Sequence, residues 1–405
     1  MKKKWLSILC VSALSILVLA ALLFASACAP AAKPSTSEPI KVGVLTSFTG
    51  GVSIYGPVTQ TGIDLRFDEV SHEVAGRRIE VIYEDDGSFD AVKALDNAKK
   101  LVEADNVDIL LGPMVSSSWV AVAPYINEVG ILEFAADWRG ELDPWLPGQP
   151  RWEASVEGSL GQFAYPLGTW AYEQGNRTAI TVGADYETGY QGTGAFADAF
   201  EKAGGTVVQR QWAPPGTAEW APYLTAMEDA DVAAIIVFGP DMLAWVKQGF
   251  ELGVWDRTRP LLLSNDSFWE VDLAAFGDDI LGLVSASDYT WRINNPVNNA
   301  FVAAWEAKTG EKPAASVGRW GYSVASVIVD MLEATNGDTT PEVMRDALMG
   351  LSTEVPGGTL TQTEEGYAIM DTYITEARKT VDGEYVWEVI ESFEGVHSPG
   401  YYTKP

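Results

Sequence analysis

The stretch IKVGVLTSFTGG, residues 40–51, decides the fold of this 405-residue chain. Its apolar segment Lys41–Leu45 predicts a short buried strand, and the glycines that follow predict a loop. Pro57 then favours the start of a helix, because a proline at the first helical position loses no hydrogen bond. The same order of strand, loop and helix recurs along the chain. Alternation of this kind predicts parallel strands with helices on both faces of the sheet, and therefore an α/β fold.

The recurring elements fall into two series, which predict two α/β lobes with mainly parallel sheets. The first series has predicted strands at 41–45, 79–83, 107–111 and 131–135, and predicted helices at 57–67, 90–104 and 117–128. The second has predicted strands at 178–182, 206–211, 232–238 and 261–264, and predicted helices at 158–173, 192–203, 220–228 and 242–252. Three later helices are predicted at 296–309, 317–334 and 341–351, followed by an alternating tail that predicts antiparallel strands. Because parallel sheets bind ligands at the carboxyl ends of their strands, two facing lobes predict a cleft between them.

The N-terminus is typical of a secretion signal that ends at a lipid-modified cysteine. Lys2–Lys4 form a basic head, residues 5–27 are apolar and uncharged, and small residues precede Cys28. We therefore predict a lipoprotein signal peptide over 1–27, lipidation of Cys28 and a flexible tether over 28–39. The alternative is an uncleaved membrane anchor, since the apolar stretch is long enough to span a bilayer. Both interpretations place the folded part outside the cytoplasm.

The composition excludes several classes of function. With 27 basic and 56 acidic residues the formal net charge is −29, so a nucleic-acid partner is not expected. The two cysteines, Cys10 and Cys28, both lie in the N-terminal segment, which leaves the folded part without a disulfide or a cysteine metal site. No nucleotide loop or nucleophile–base set is recognisable, and the pair Asp85–Asp86 is interpreted as an exposed turn. We predict no catalysis, no metal and no cofactor.

Five motifs carry a resemblance to a known family. In this order and spacing they resemble the type I periplasmic binding proteins, specifically the leucine/isoleucine/valine-binding branch that supplies ABC transporters. The motifs are IKVGVLTSFTG at 40–50, YG at 55–56, GRRIEV at 76–81 with YEDD at 83–86, LGPMVSSS at 111–118 and GIL at 130–132.

The resemblance implies two doubly wound lobes joined by a three-stranded hinge. Residues 40–156 and 286–355 would form lobe 1, and residues 157–285 and 356–400 would form lobe 2. It also implies a solute-binding protein that delivers a small polar solute to ABC permease subunits, the solute being an amino acid of the branched-chain type. The alternatives are a cationic, amide or aromatic solute, or a ligand-sensing receptor module.

Ser116 is the first candidate for solute binding. The run Ser116–Ser118 follows a predicted buried strand and begins a helix, where backbone N–H groups and the helix dipole favour an anion. The alternative is that these serines only cap the helix. The resemblance implies that Ser116 holds the carboxylate of an amino acid, and that Met114 and Val115 belong to the same binding loop.

The resemblance implies further contacts on both lobes. Tyr55 would face the cleft from the loop after the first strand, and Tyr322 would line it from a late helix, although packing in the helix core is the alternative for Tyr322. In lobe 2, Asp241 stands where the family usually has an aromatic contact. Asp266 would accept the α-ammonium group of the solute through a charge-assisted hydrogen bond. Helix capping and turn formation are the alternatives for both aspartates.

One segment departs from the family pattern. After the predicted strand 131–135 the family has Ala-Ala-Thr, whereas this chain has Ala135, Ala136 and Asp137. The resemblance implies that Ala136 and Asp137 contact the solute, yet a carboxylate at Asp137 would repel a bound carboxylate. Acidic residues and aromatics around one cleft therefore keep a cationic or amide solute open as an alternative.

Overall fold

The computed structural model describes residues 38–135, 152–155, 159–266, 268–313, 316–364, 366–400, 402, 404 and 405. The predicted signal peptide, Cys28 and most of the predicted tether lie outside these residues, as do Ala136 and Asp137. No helix within the described ranges has the length and apolar character needed to cross a membrane.

The first sheet is built from the first predicted series. Its strands are β1 (Ile40–Thr46), β2 (Glu73–Val74), β3 (Arg77–Asp85), β4 (Ile109–Leu111), β5 (Leu132–Ala135) and β6 (Glu153–Ser155). Their order is β2-β3-β1-β4-β5-β6, and all pairs are parallel except β2 with β3. The connecting helices are α1 (Tyr55–Glu69), α2 (Ala91–Lys99) and α3 (Ser116–Val129). The parallel pairing predicted for this series is confirmed.

The second sheet begins with parallel strands, as the first sheet does, but ends with antiparallel strands. Its parallel strands are β7 (Thr178–Ala184), β8 (Thr206–Ala213), β9 (Val232–Ile236), β10 (Arg259–Leu262) and β11 (Val284–Ser287). Its antiparallel strands are β12 (Ser352–Val355), β13 (Gly358–Gln362), β14 (Ala368–Lys379) and β15 (Tyr385–Val396). The order is β12-β13-β14-β11-β10-β9-β7-β8, with β15 also paired to β14. The antiparallel tail predicted from alternation is thus confirmed.

The helices of the second sheet are α4 (Leu160–Glu173), α5 (Glu187–Ala203), α6 (Ala221–Thr225), α7 (Pro240–Glu251) and α8 (Glu270–Phe276). The prediction for α5 was wrong at its start, because the helix begins at Glu187 and not at Gly192, in a segment that holds several glycines. In the structure they allow close packing. A Cβ on Gly189 would lie 1.9 Å from the carbonyl oxygen of Ala184, so only glycine lets the first turn of α5 sit against the end of β7.

Three late helices return to the first sheet. They are α9 (Pro296–Thr309), α10 (Ser316–Ala334) and α11 (Pro341–Leu348). Helix α10 packs directly on α1, where a Cβ on Gly62 would meet the carbonyl oxygen of Gly318 at 2.0 Å. On α10, Arg319 forms a fully buried ion pair with Asp288, which follows β11 of the second sheet. The chain therefore crosses from one sheet to the other more than once, and the buried ion pair stabilises one of these crossings.

Candidate functional site

Loops at the carboxyl ends of the strands in both sheets meet around a cavity of about 230 Å³. The first sheet contributes residues that follow β1 and β3, and the second contributes residues at the ends of β7, β8 and β9. The lining residues are Gly51, Val52, Phe89, Ala184, Tyr186, Pro215, Gly216, Phe238, Pro240 and Asp241. The cavity thus occupies the place where parallel α/β sheets bind ligands.

A second cavity of about 20 Å³ continues the first towards the start of α3. Its lining residues are Val52, Tyr55, Phe89, Met114, Val115, Tyr186 and Phe238. Four of these also line the larger cavity, so the two cavities adjoin, and we call them together the solute cleft. Asp241 is the only charged residue among the described residues that line the solute cleft.

An aromatic cluster crosses the solute cleft from one sheet to the other. The ring of Phe89, after β3, meets the ring of Tyr186, after β7, with centroids 6.0 Å apart and planes at 87°. Tyr186 in turn lies 6.2 Å from Phe238, which follows β9. The first pair is edge-to-face and the second is tilted at 50°, and an edge-to-face pair contributes about 0.5–1.5 kcal/mol beyond its burial. The cluster therefore gives the cleft an apolar centre and holds the two sides together.

A hydroxyl pair joins the starts of two helices beside the aromatic cluster. The Oγ atom of Ser116, the first residue of α3, lies 3.0 Å from the Oγ1 atom of Thr188 in the first turn of α5. Both residues are buried. Helix starts present backbone N–H groups and a partial positive charge, so two of them in one place favour an anion.

A buried carboxylate supports the first-sheet side of the cleft. Asp86 accepts hydrogen bonds from the hydroxyl of Ser47 (2.7 Å), from the backbone N–H of Ser88 (2.7 Å) and from that of Met114 (2.8 Å). Burial raises the pKa of the Asp86 carboxyl, and these three bonds oppose the rise. The interpretation of Asp85–Asp86 as an exposed turn was wrong for Asp86, which is completely buried. This carboxylate ties together three loops that carry residues of the cleft.

Asp241 lies in the first turn of α7 at the other end of the cleft. Its Oδ2 atom accepts hydrogen bonds from the backbone N–H of Gly216 (2.7 Å) and of Thr217 (3.1 Å). Burial raises the pKa of the Asp241 carboxyl, and the two backbone bonds oppose the rise. The capping and turn chemistry considered from the sequence is therefore present, and in addition the residue lines the cavity.

The structure brings together some of the residues predicted for the site. Tyr55, Met114, Val115 and Asp241 line the solute cleft, and Ser116 lies directly after Val115 at its edge. Contact with a solute stays a prediction for each of them. Ala136 and Asp137 lie outside the described residues.

Two predicted site residues occupy other surroundings. The buried carboxylate of Asp266 accepts a hydrogen bond from the Ser264 hydroxyl, and Asp266 does not line either cavity of the solute cleft. Tyr322 donates its hydroxyl hydrogen to Glu69 (2.7 Å) and packs on Phe301, with ring centroids 5.0 Å apart. These contacts favour the packing alternative for Tyr322, while both ligand roles stay predictions.

Several residues of the cleft were missed by sequence reasoning. They are Val52, Phe89 and Tyr186, together with Thr188 beside the cleft, and Phe238 was noted only as the end of a strand. Each follows a predicted strand within a few residues, which is the one signal the sequence offers. That signal does not distinguish an aromatic residue of the cleft from one on the surface, because the facing sheet decides the difference.

Comparison with known proteins agrees with this geometry. The family model described as "Periplasmic binding protein" matches residues 39–382, so the chain belongs to the periplasmic binding protein family. Within that family it is a type I member of the leucine/isoleucine/valine-binding branch, a substrate-binding protein of the kind that serves ABC transporters and not an enzyme. Membership implies a location outside the cytoplasm.

Three similar proteins illustrate the relationship. The Leu/Ile/Val-binding protein homolog 6 of Brucella melitensis is 27% identical over 379 residues, which cover 91% of this chain and 95% of the relative. A solute-binding protein of an ABC transporter from Rhodopseudomonas palustris, solved with 3,4-dihydroxybenzoic acid, has a TM-score of 0.82 at 25% identity and covers 89% of this chain and 99% of its own. A second from the same species, solved with p-hydroxybenzoic acid, has a TM-score of 0.83 at 25% identity with the same coverage.

Proposed function

We propose that this protein captures a small carboxylate with an apolar body in the solute cleft and delivers it to the permease subunits of an ABC transporter. The observation that supports this proposal is the apolar, aromatic cleft beside two facing helix starts, with Ser116 and Thr188 at their first turns. Thr188 can donate its hydroxyl hydrogen to the Oγ atom of Ser116, and the Ser116 hydroxyl would then donate to a solute carboxylate.

The size and lining of the cleft restrict the solute. A cavity of about 230 Å³ is smaller than the roughly 300–1,000 Å³ typical of pockets for drug-sized ligands. Its aromatic centre, formed by Phe89, Tyr186 and Phe238, suits a flat ring. Two structural neighbours bind benzoic acid derivatives, which supports an aromatic carboxylate as the first candidate.

A branched-chain amino acid is the second candidate. The aliphatic side chains of Val52, Met114 and Val115 lie at the end of the cleft next to Ser116, where they would pack on a leucine or valine side chain. The name of the Brucella relative points in the same direction. In this version of the proposal Asp266 is the acceptor of the α-ammonium group, and Ala136 and Asp137 contact the solute.

Capture would occur by closure of two lobes. We propose that residues 40–156 and 286–355 form one lobe and residues 157–285 and 356–400 the other, with hinges near Val156, Ser285 and Val355. The contact of Phe89 with Tyr186 and the bond between Ser116 and Thr188 both join the two sides, so they would form on closing. A solute that binds the closed form more tightly shifts the equilibrium towards it.

A panel of matched ligands tests this proposal by thermal shift and calorimetry. Benzoate, 4-hydroxybenzoate, leucine and valine are compared with benzamide, which has the shape of benzoate without its charge, and with the diamine putrescine. A tight ligand at 100 times its Kd adds about 2.7 kcal/mol to the free energy of unfolding and raises Tm. We expect at least one carboxylate to do so and benzamide to have little effect. Stabilisation by benzamide or putrescine, with none by a carboxylate, would overturn the proposal.

We also propose that Cys28 carries a lipid that anchors the protein to the membrane. The support is the sequence alone, where a basic, apolar segment ends in small residues before this cysteine. In cells expressing the full chain, the wild type should partition with the detergent phase and Cys28→Ser should move to the aqueous phase or stay as the unprocessed precursor. A wild-type protein found entirely in the aqueous phase would contradict the anchor.

A further inference from the structure

A charged side chain, that of Asp241, lies at the end of the solute cleft remote from Ser116, although an apolar pocket does not need one. Asp241 lines only the larger cavity, whereas Met114 and Val115 line only the smaller one next to Ser116. The aromatic residues shared by both cavities lie between these two ends. A solute whose carboxylate is at Ser116 and whose ring is in the aromatic centre therefore directs its far end towards Asp241.

The carboxylate of Asp241 is held in place and keeps one oxygen for a ligand. Both of its backbone hydrogen bonds, from Gly216 and Thr217, go to Oδ2. No protein donor among the described residues bonds to Oδ1. The backbone bonds fix the side chain, so an incoming donor would meet a preorganised acceptor.

We propose that Asp241 makes the cleft select carboxylates that carry a hydrogen-bond donor, a hydroxyl or an amino group, at the end opposite the carboxylate. This inference rests on the proposed function and names its substrate class more narrowly: hydroxy- or amino-substituted aromatic acids. A solute without such a donor would displace water from Asp241 and leave the carboxylate oxygen without a partner when the cleft closes. A second carboxylate at the far end would be repelled.

Calorimetry on the full chain with a set of para-substituted benzoates tests the inference. The wild type should bind 4-hydroxybenzoate and 4-aminobenzoate about 10- to 100-fold more tightly than benzoate, which is the range for a hydrogen bond to a charged group. In Asp241→Asn one side-chain oxygen still accepts from Gly216 and Thr217, but the other position becomes a donor. We expect this variant to bind benzoate within about threefold of the wild type and to lose most of the preference for the substituted acids.

Asp231→Asn is the matched control. Asp231 also accepts two backbone hydrogen bonds through Oδ2, from Arg177 (2.7 Å) and Thr178 (2.9 Å), but it lies directly before β9 and lines neither cavity of the cleft. This variant should keep the wild-type preference. A comparable loss in Asp231→Asn would overturn the inference, because the effect would then be one of stability.

The outcomes separate the inference from the proposed function. If the wild type binds benzoate and 4-hydroxybenzoate equally well, the role of Asp241 is refuted while carboxylate capture stands. If leucine binds and the aromatic acids do not, the narrower class is likewise refuted. If no carboxylate binds, the proposed function fails and the inference fails with it. The comparison of benzoate with the substituted acids on the wild type tests the preference without any variant. Equal affinities there would overturn the inference even if Asp241→Asn did not fold.

Discussion

The two sides of the solute cleft are built on different principles. The first-sheet side, formed by Val52, Tyr55, Phe89, Met114 and Val115, is supported from behind by the buried carboxylate of Asp86 and its three donors. The second-sheet side presents Tyr186, Phe238 and Asp241, and the Asp241 carboxylate accepts hydrogen bonds from the backbone N–H groups of Gly216 and Thr217. One side is thus fixed by a polar network, and the other is mainly an aromatic surface.

This difference indicates a division of labour between the two sides. A loop set held by buried hydrogen bonds loses little entropy when a solute binds, so the first-sheet side is suited to receive the solute first. The Ser118 hydroxyl extends the network by donating to the backbone carbonyl of Ser88 (2.7 Å), which joins the start of α3 to it. Aromatic side chains on the second-sheet side can then cover the solute and exclude water. In the role proposed for it, Asp241 selects the group at the far end of the solute.

We expect the largest effect from replacing Asp86, because its hydrogen bonds hold the loops of the first-sheet side together. In Asp86→Ala the Ser47 hydroxyl and the backbone N–H groups of Ser88 and Met114 lose their acceptor inside the protein. Since each unsatisfied buried donor costs about 1–3 kcal/mol, we expect the free energy of unfolding to fall by about 3 kcal/mol or more, as measured by urea denaturation.

A second variant at the same position serves as the control for Asp86→Ala. Asp86→Asn keeps the shape of the side chain and one acceptor oxygen, and should lose clearly less stability. The comparison between the two sides would be wrong if Asp86→Ala were within about 0.5 kcal/mol of the wild type. Solute affinity should fall together with stability, because Met114 belongs to both the network and the cleft.

Local patterns predicted the sheets better than they predicted the cleft. The apolar run before Gly50 and the alternation after Tyr367 each specify a strand without help from distant residues, and both strands are present. Asp86 shows why the site was harder to predict than the sheets. Its burial depends on Ser47 and Met114, which are far from it in the sequence, and nothing in the segment YEDD indicates which of the two aspartates turns inward.

Glycine was the second source of error. Gly189 lies before the predicted helix start at residue 192, yet it belongs to the first turn of α5, which brings Thr188 next to Ser116. A glycine required by close packing and a glycine required by a turn look the same in a sequence, because the carbonyl oxygen that Gly189 approaches belongs to the preceding strand. The sequence therefore indicated Ser116 as one member of the hydroxyl pair but gave no signal for Thr188, the other member.

We expect a smaller effect from substitutions in the hydroxyl pair of Ser116 and Thr188. They test whether the two sides of the cleft contribute unequally to the affinity for the solute. Ser116→Ala removes a donor to the solute carboxylate from the fixed side, and we expect a loss of about 10-fold in affinity. Thr188→Val removes the partner hydroxyl with little change of volume and leaves the Ser116 hydroxyl in place as a donor to the solute. Closure then loses one neutral hydrogen bond, which should weaken binding by about threefold.

Calorimetry with the tightest carboxylate of the panel measures both losses, and Ser117→Ala serves as the control one residue along the same helix turn. That control should bind as the wild type does, since no hydrogen bond from the Ser117 side chain reaches a described residue. An equal or larger loss in Thr188→Val would contradict the division of labour, because the closing side would then hold the solute as strongly as the receiving side. Unequal losses in the expected order would mean that α3 contributes more than α5 to the free energy of solute binding, as the division of labour requires.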